Sequence, residues 1–118
     1  MCAAAGVRLV SGTDHTGPGD DLPGRGLQRE LGYLVECGLT PLHALRSSTL
    51  TAAAALGRHD PGAIEQGKRA DIVVLDQDPL ADIRAVSAVR TVIHAGRVST
   101  PAELITSPPA DPTSPYAA

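Results

Sequence analysis

The chain opens with a short apolar run. Val7, Leu9 and Val10 lie between Gly6 and Gly12, and residues 6–12 predict a β-strand. Asp14 follows directly. Residues 15–26 then hold four glycines and two prolines in twelve positions, which is turn chemistry throughout and long for a loop with no structure of its own. Leu27, Leu31, Leu34 and Val35 next fall at i, i+4, i+7 and i+8, one apolar stripe of a helix over 27–37 that Gly38 ends. Thr40-Pro41 is a helix start, with a capping hydroxyl before a proline suited to the first helical position. Leu42 and Leu45 are expected to face the core. Ser47-Ser48-Thr49 predicts a break, after which Thr49 or Thr51 caps an alanine-rich helix ending at Gly57.

The period then changes. A turn at 65–68 leads into Ala70–Asp76, where Ile72, Val73, Val74 and Leu75 are consecutive. Such a run predicts a strand buried on both faces. Asp78-Pro79 closes it, because the residue before proline is held extended. Asp82 is placed to cap a single helical turn. Val89, Thr91 and Ile93 alternate with Arg90, Val92 and His94, Ala95-Gly96 forms a hairpin turn, and Arg97–Ser99 returns. Residues 100–118, rich in Pro, Ser, Ala and Asp, read as a disordered tail. The opening strand has no neighbour in sequence to pair with. An apolar strand left alone strands its backbone donors and acceptors, so it predicts membership of a sheet whose other strands lie elsewhere.

Composition narrows the function classes. A chain of 118 residues suits one small domain. Tyr33 and Tyr116 are the only aromatic residues, so a core must be built from Ala, Leu, Val and Ile. The formal net charge is −3 with no basic stripe, which argues against a nucleic-acid partner. Cys2 and Cys37 lack metal or redox spacing and read as reduced thiols of a cytoplasmic protein. No leader-like segment is visible, and no apolar run reaches the length of a membrane span.

Few residues are candidates for chemistry. Asp14 stands where a strand ends, either as an ordinary turn-capping acid or as a functional carboxylate. His15 sits beside it on the loop, within reach of a substrate. His43 in a first helical turn, and His59 and His94, read as surface residues. Glu30 either supports the loop or simply faces solvent, the commoner state of a helical glutamate. Gly12 permits either a close backbone approach or a bend.

Four stretches in this order carry a family resemblance. "GVRLVSGTD" at 6–14 resembles the eighth barrel strand of the metal-dependent amidohydrolase superfamily. "REL" followed by "CGLTPLHALRSSTLTAAAALG", within 29–57, resembles the helices after that strand. "GAIEQGKRADIVVLDQDPLADI" and "AVRTVIHAGRV" are similar to the segment returning to the family's small β-sandwich, in the manner of the imidazolonepropionase-like and prolidase-like branch. The resemblance implies an α/β chain in which 1–57 is the last strand and helices of a (β/α)₈ barrel, 58–99 part of the sandwich and 100–118 a tail. Family members hold one or two divalent metals through a His-x-His on the first strand, a lysine or glutamate on the fourth and histidines on the fifth and sixth. None of those segments is present, and only the eighth-strand aspartate carries over, onto Asp14, as metal ligand and proton acceptor. Lys68 and Asp71 fall at a structural turn and a strand start.

The implied function is that of the C-terminal portion of a hydrolase acting on amide, lactam or related C–N bonds, inactive alone. The metal implied is zinc in the complete enzyme, with none bound by this chain by itself. A small-molecule substrate and a separate N-terminal barrel polypeptide are the implied partners. A non-catalytic interaction module and a decayed remnant are the alternatives.

Overall fold

A computed structural model of the protein describes residues 5–14 and 24–106. Helices and a small sheet follow one another: α1 (Gly26–Glu36), α2 (Pro41–Ser48), α3 (Leu50–Ala55), β1 (Ile72–Leu75), a 3₁₀ turn (Ile83–Ser87), β2 (Val89–His94), β3 (Arg97–Ser99) and α4 (Pro101–Thr106). The three strands form one antiparallel sheet in the order β1-β2-β3.

Local chemistry sets most boundaries. The Thr40 hydroxyl accepts the His43 N–H, and Pro41 occupies the first turn of α2. The break between α2 and α3 falls at Thr49, whose hydroxyl donates back to the Leu45 carbonyl at 2.9 Å instead of capping α3. Gly62 (φ +96°) lies so close to the start of α3 that a Cβ there would sit 3.0 Å from the Thr49 carbonyl oxygen. Asp82 accepts the Arg84 N–H at 3.0 Å and starts the 3₁₀ turn. The hairpin between β2 and β3 turns on Ala95 and Gly96, both at positive φ (48° and 82°), the pairing a type I′ turn needs. Between Val74 and Leu75 the register against β2 shifts, leaving Arg90 as the additional residue of a bulge.

Leu31, Ala44 and Ile83 form the buried centre, with Leu34, Val35, Leu45 and Val86 packed around them. This joins α1, α2 and the 3₁₀ turn. Ser47 is buried too, its hydroxyl donating to the Ala44 carbonyl at 2.7 Å.

Several expectations are corrected. The strand expected over residues 6–12 does not form, because no ladder partner exists for it among the described residues. Leu27 and Leu42 are exposed; Leu31 and Leu45 carry the packing instead. β1 is not buried on both faces: Val73 and Val74 are 54% and 37% exposed, since no described element covers them. The disorder expected from residue 100 onward does not hold for residues 100–106. Thr100-Pro101-Ala102-Glu103 is a capping box that starts α4: Glu103 Oε2 accepts the Thr100 N–H at 2.7 Å, and Thr100 Oγ1 accepts the Glu103 N–H at 3.3 Å. The remaining tail, 107–118, lies outside the described residues.

Asp71 fastens the hairpin tip to the start of β1. Its Oδ1 accepts the Ala95 N–H at 2.8 Å and lies 3.3 Å from His94 Nδ1, while Oδ2 pairs with Arg69. The Ala95 N–H, then the Arg69 guanidinium, hold the Asp71 carboxyl below its usual range. A depressed folded pKa gives stabilisation that is full above the unfolded value of about 3.9 and is lost as pH falls through the lower folded value. The urea-midpoint gap between wild type and Asp71→Asn is therefore expected to be constant near neutrality and to close below that range. A gap that persists unchanged to pH 2 would contradict this.

Candidate functional site

The segment from Val7 to Asp14 is irregular in itself, and three successive residues near its end are tied to different places. Ser11 N–H donates to the Ser47 carbonyl at 3.2 Å, and the Ser11 and Ser48 hydroxyls are 2.6 Å apart. These contacts dock the segment on the C-terminal end of α2. Gly12 N–H donates to Glu30 Oε1 on α1 at 2.6 Å. The Thr13 methyl lies beside Gly26 at the start of α1, where a Cβ would approach it to 3.5 Å.

Asp14 comes next, exposed and in the left-handed region at φ 46°. Among the described non-glycine residues it shares a positive φ only with Ala95 of the hairpin turn. Asp is one of the few side chains that enters this region at modest cost, and such conformations persist where surrounding contacts over-determine them. The carboxylate is thus presented outward at the end of an anchored segment.

The other candidates separate. His15 lies outside the described residues. His43 is exposed and its Nδ1 sits 2.9 Å from the Thr40 hydroxyl, a local cap contact. His59 is exposed, and His94 belongs to the Asp71 contact. Lys68 donates to the His59 carbonyl at 2.9 Å and Asp71 ties the hairpin, both structural uses. A Cβ on Gly12 would meet nothing within 4 Å, so no described neighbour requires the missing side chain there.

Glu30 is not a solvent-facing helical glutamate. It is half-buried, it binds Gly12, and its Oε2 is enclosed with no hydrogen-bond partner among the described residues. The helical stripe gave only a partial signal: Glu30 falls at the edge of the arc set by Leu31, Leu34 and Val35, not within it.

Among the described residues no three His, Cys, Asp or Glu side chains converge to hold a metal ion. A zinc site needs three or four protein donors. Asp14 offers one, so the described residues alone do not fit a metal centre. An open cleft of about 960 Å³ lies between α1, the 3₁₀ turn, β2 and α4, lined by Gln28, Tyr33, Arg84, Val92 and Leu104 among others. A second, of about 540 Å³, is bounded by Val7, Leu9, His43, Arg46 and Leu50 among others. Asp14 lines neither.

Comparison with known proteins places these features in context. The family profile described as "Amidohydrolase family" matches residues 1–99. Adenine deaminase 2 of Agrobacterium fabrum is 47% identical over 85 residues, covering 72% of this chain and 13% of that protein. The imidazolonepropionase of Deinococcus deserti is 42% identical over 103 residues, covering 80% of this chain and 26% of that protein. Among solved structures, molinate hydrolase superposes with a TM-score of 0.77 at 35% identity, over 90% of this chain and 26% of the other. The chain therefore spans between 13% and 26% of the length of these relatives.

Proposed function

We propose, from the premise that this chain belongs to the amidohydrolase family, that it is the C-terminal portion of a hydrolase acting on non-peptide C–N or related bonds, and that Asp14 is its contribution to the reaction. Residues 1–57 supply the last strand and following helices of a (β/α)₈ barrel in this reading, and 58–99 supply strands of the accessory sandwich. The observation that carries it is the placement of Asp14: an exposed carboxylate in a left-handed conformation, at the end of a segment anchored residue by residue on α1 and α2. Catalytic groups of barrel enzymes sit at the C-terminal ends of the strands, the place this reading gives Asp14 in the complete barrel. There the Asp14 carboxylate accepts a proton from the attacking water and returns it to the leaving nitrogen, the ordinary work of a general base and acid.

The remaining donors that would accompany Asp14 come from segments outside this chain. The family is metal-dependent in general, and zinc is the ion proposed for the complete site. The relatives' names suggest probes. The experiment mixes the 118-residue chain with the part of the Deinococcus imidazolonepropionase that its match leaves uncovered, expressed separately. Hydrolysis of adenine and molinate is followed by ammonia or amine release, and ring opening of imidazolonepropionate by loss of its ultraviolet absorbance. Turnover that neither polypeptide shows alone is the expected result. Turnover by the 118-residue chain alone would refute the portion reading, and none from any mixture or from the chain would favour the non-catalytic module.

A further inference from the structure

We infer that Glu30 is the positioning residue of this site, holding the Asp14-bearing segment in its active arrangement through the Gly12 N–H; the inference rests on the reading of Asp14 above. Glu30 and Gly12 are 18 residues apart, and the 2.6 Å contact between them is the side-chain tie from α1 to the segment. It acts two residues before the left-handed turn at Asp14. A charged acceptor makes a shorter and stronger bond to a backbone N–H than a neutral one, which suits a glutamate here. The arrangement has a cost. Glu30 Oε2 is enclosed without a donor among the described residues, and an unserved buried acceptor is unfavourable. Glu30 lies at the edge of the apolar stripe of α1 and is half-buried, where a glutamate turned to solvent would avoid that cost. A local rule broken in this way is expected at a functional site. Ser11 fixes the segment against α2 at the neighbouring position, but its partners are neutral hydroxyl and carbonyl groups. Of the two ties, Glu30 is the charged one and the one nearer Asp14.

Two measurements test this. The first is amide exchange at Gly12 in the ¹⁵N-labelled 118-residue chain. Losing a hydrogen bond to a charged group should speed Gly12 exchange by roughly 10- to 100-fold in Glu30→Ala. Glu30→Gln keeps an acceptor oxygen and should stay much closer to wild type. The Ala44 amide, in α2, should not change in either variant. Equal Gly12 rates in wild type and Glu30→Ala would overturn the inference. So would a wild-type Gly12 already unprotected, or an equal acceleration at Ala44, which marks general loosening.

The second measurement is turnover in the two-polypeptide mixture with the probe it accepts. Glu30→Ala should lower kcat with KM little changed, and Glu30→Gln should restore most of kcat. If Asp14→Asn is inactive while Glu30→Ala keeps wild-type kcat, positioning by Glu30 fails and the Asp14 reading stands. If Asp14→Asn keeps full turnover, the Asp14 reading fails and takes the positioning role with it. If no mixture is active, Gly12 exchange alone decides whether Glu30 holds the segment.

Discussion

Asp14→Asn should lower turnover of the complemented enzyme by about 10²–10⁴-fold, the usual contribution of a positioned general acid–base group. The substitution is chosen to leave the backbone alone. Asn enters the left-handed region about as readily as Asp, so the φ of 46° at this position is preserved. The side chain is exposed, and the anchors at Ser11, Gly12 and Thr13 use backbone or other side chains. The amide keeps the shape but cannot take up a proton at neutral pH. Stability of the chain should therefore be unchanged while kcat collapses. KM should move less than kcat, because the interaction removed belongs to the transition state. The informative control is His15→Asn, the neighbouring residue of "TDH". Near-full rate in Asp14→Asn with a dead His15→Asn would move the chemistry to His15 and overturn its assignment to Asp14.

What could be read ahead of the structure follows a physical division. Features decided by a few neighbouring residues were legible. The Thr40-Pro41 start of α2, the Asp82 cap and the Ala95-Gly96 turn depend on local hydrogen bonds or local φ and formed as expected, while the break expected over 47–49 narrows to Thr49, whose side chain does not cap α3. Features decided by what covers a surface were not. Four consecutive aliphatic residues in β1 say that two faces need burial, but cannot say that the covering elements are present, and Val73 remains 54% exposed. The same holds for the apolar run at 7–10, which needs a ladder partner to become a strand. The α4 capping box was a local signal overridden by the Pro- and Ser-rich composition of the residues after it.

The site divides along the same line. Asp14 entered as a candidate through family resemblance and through its position after an apolar run, and the structure adds its exposure and its backbone conformation. Its left-handed backbone was not legible, because an apolar run followed by an acid does not by itself set φ. Glu30 sits at the boundary. Its place at the edge of the helical stripe left both directions open, and the general habit of helical glutamates pointed outward. Tertiary contact with Gly12 settled the direction.

Leu31→Ala should be the most destabilising single truncation in the chain, at about 2–5 kcal/mol. Leu31 is 4% exposed and packs with Ala44 and Ile83, so its side chain is the common surface of α1, α2 and the 3₁₀ turn. The core offers little to compensate. The other buried hydrophobics among the described residues are Ala44, Ala53, Ala85 and Ile83, and three alanines cannot collapse into a leucine-sized void. Small domains have only about 5–15 kcal/mol of stability in total, so much of it should go in one step. Leu56→Ala is the matched control. Leu56 is 78% exposed, and its truncation should change stability by no more than about 0.5 kcal/mol. Urea unfolding followed by far-UV circular dichroism compares the two. If Leu31→Ala shifts the midpoint no further than Leu56→Ala, the centre of the fold is not where α1 meets α2. If it shifts as expected, protection of the Gly12 amide should fall with it, because Glu30 reaches Gly12 only while Leu31 holds α1 in place.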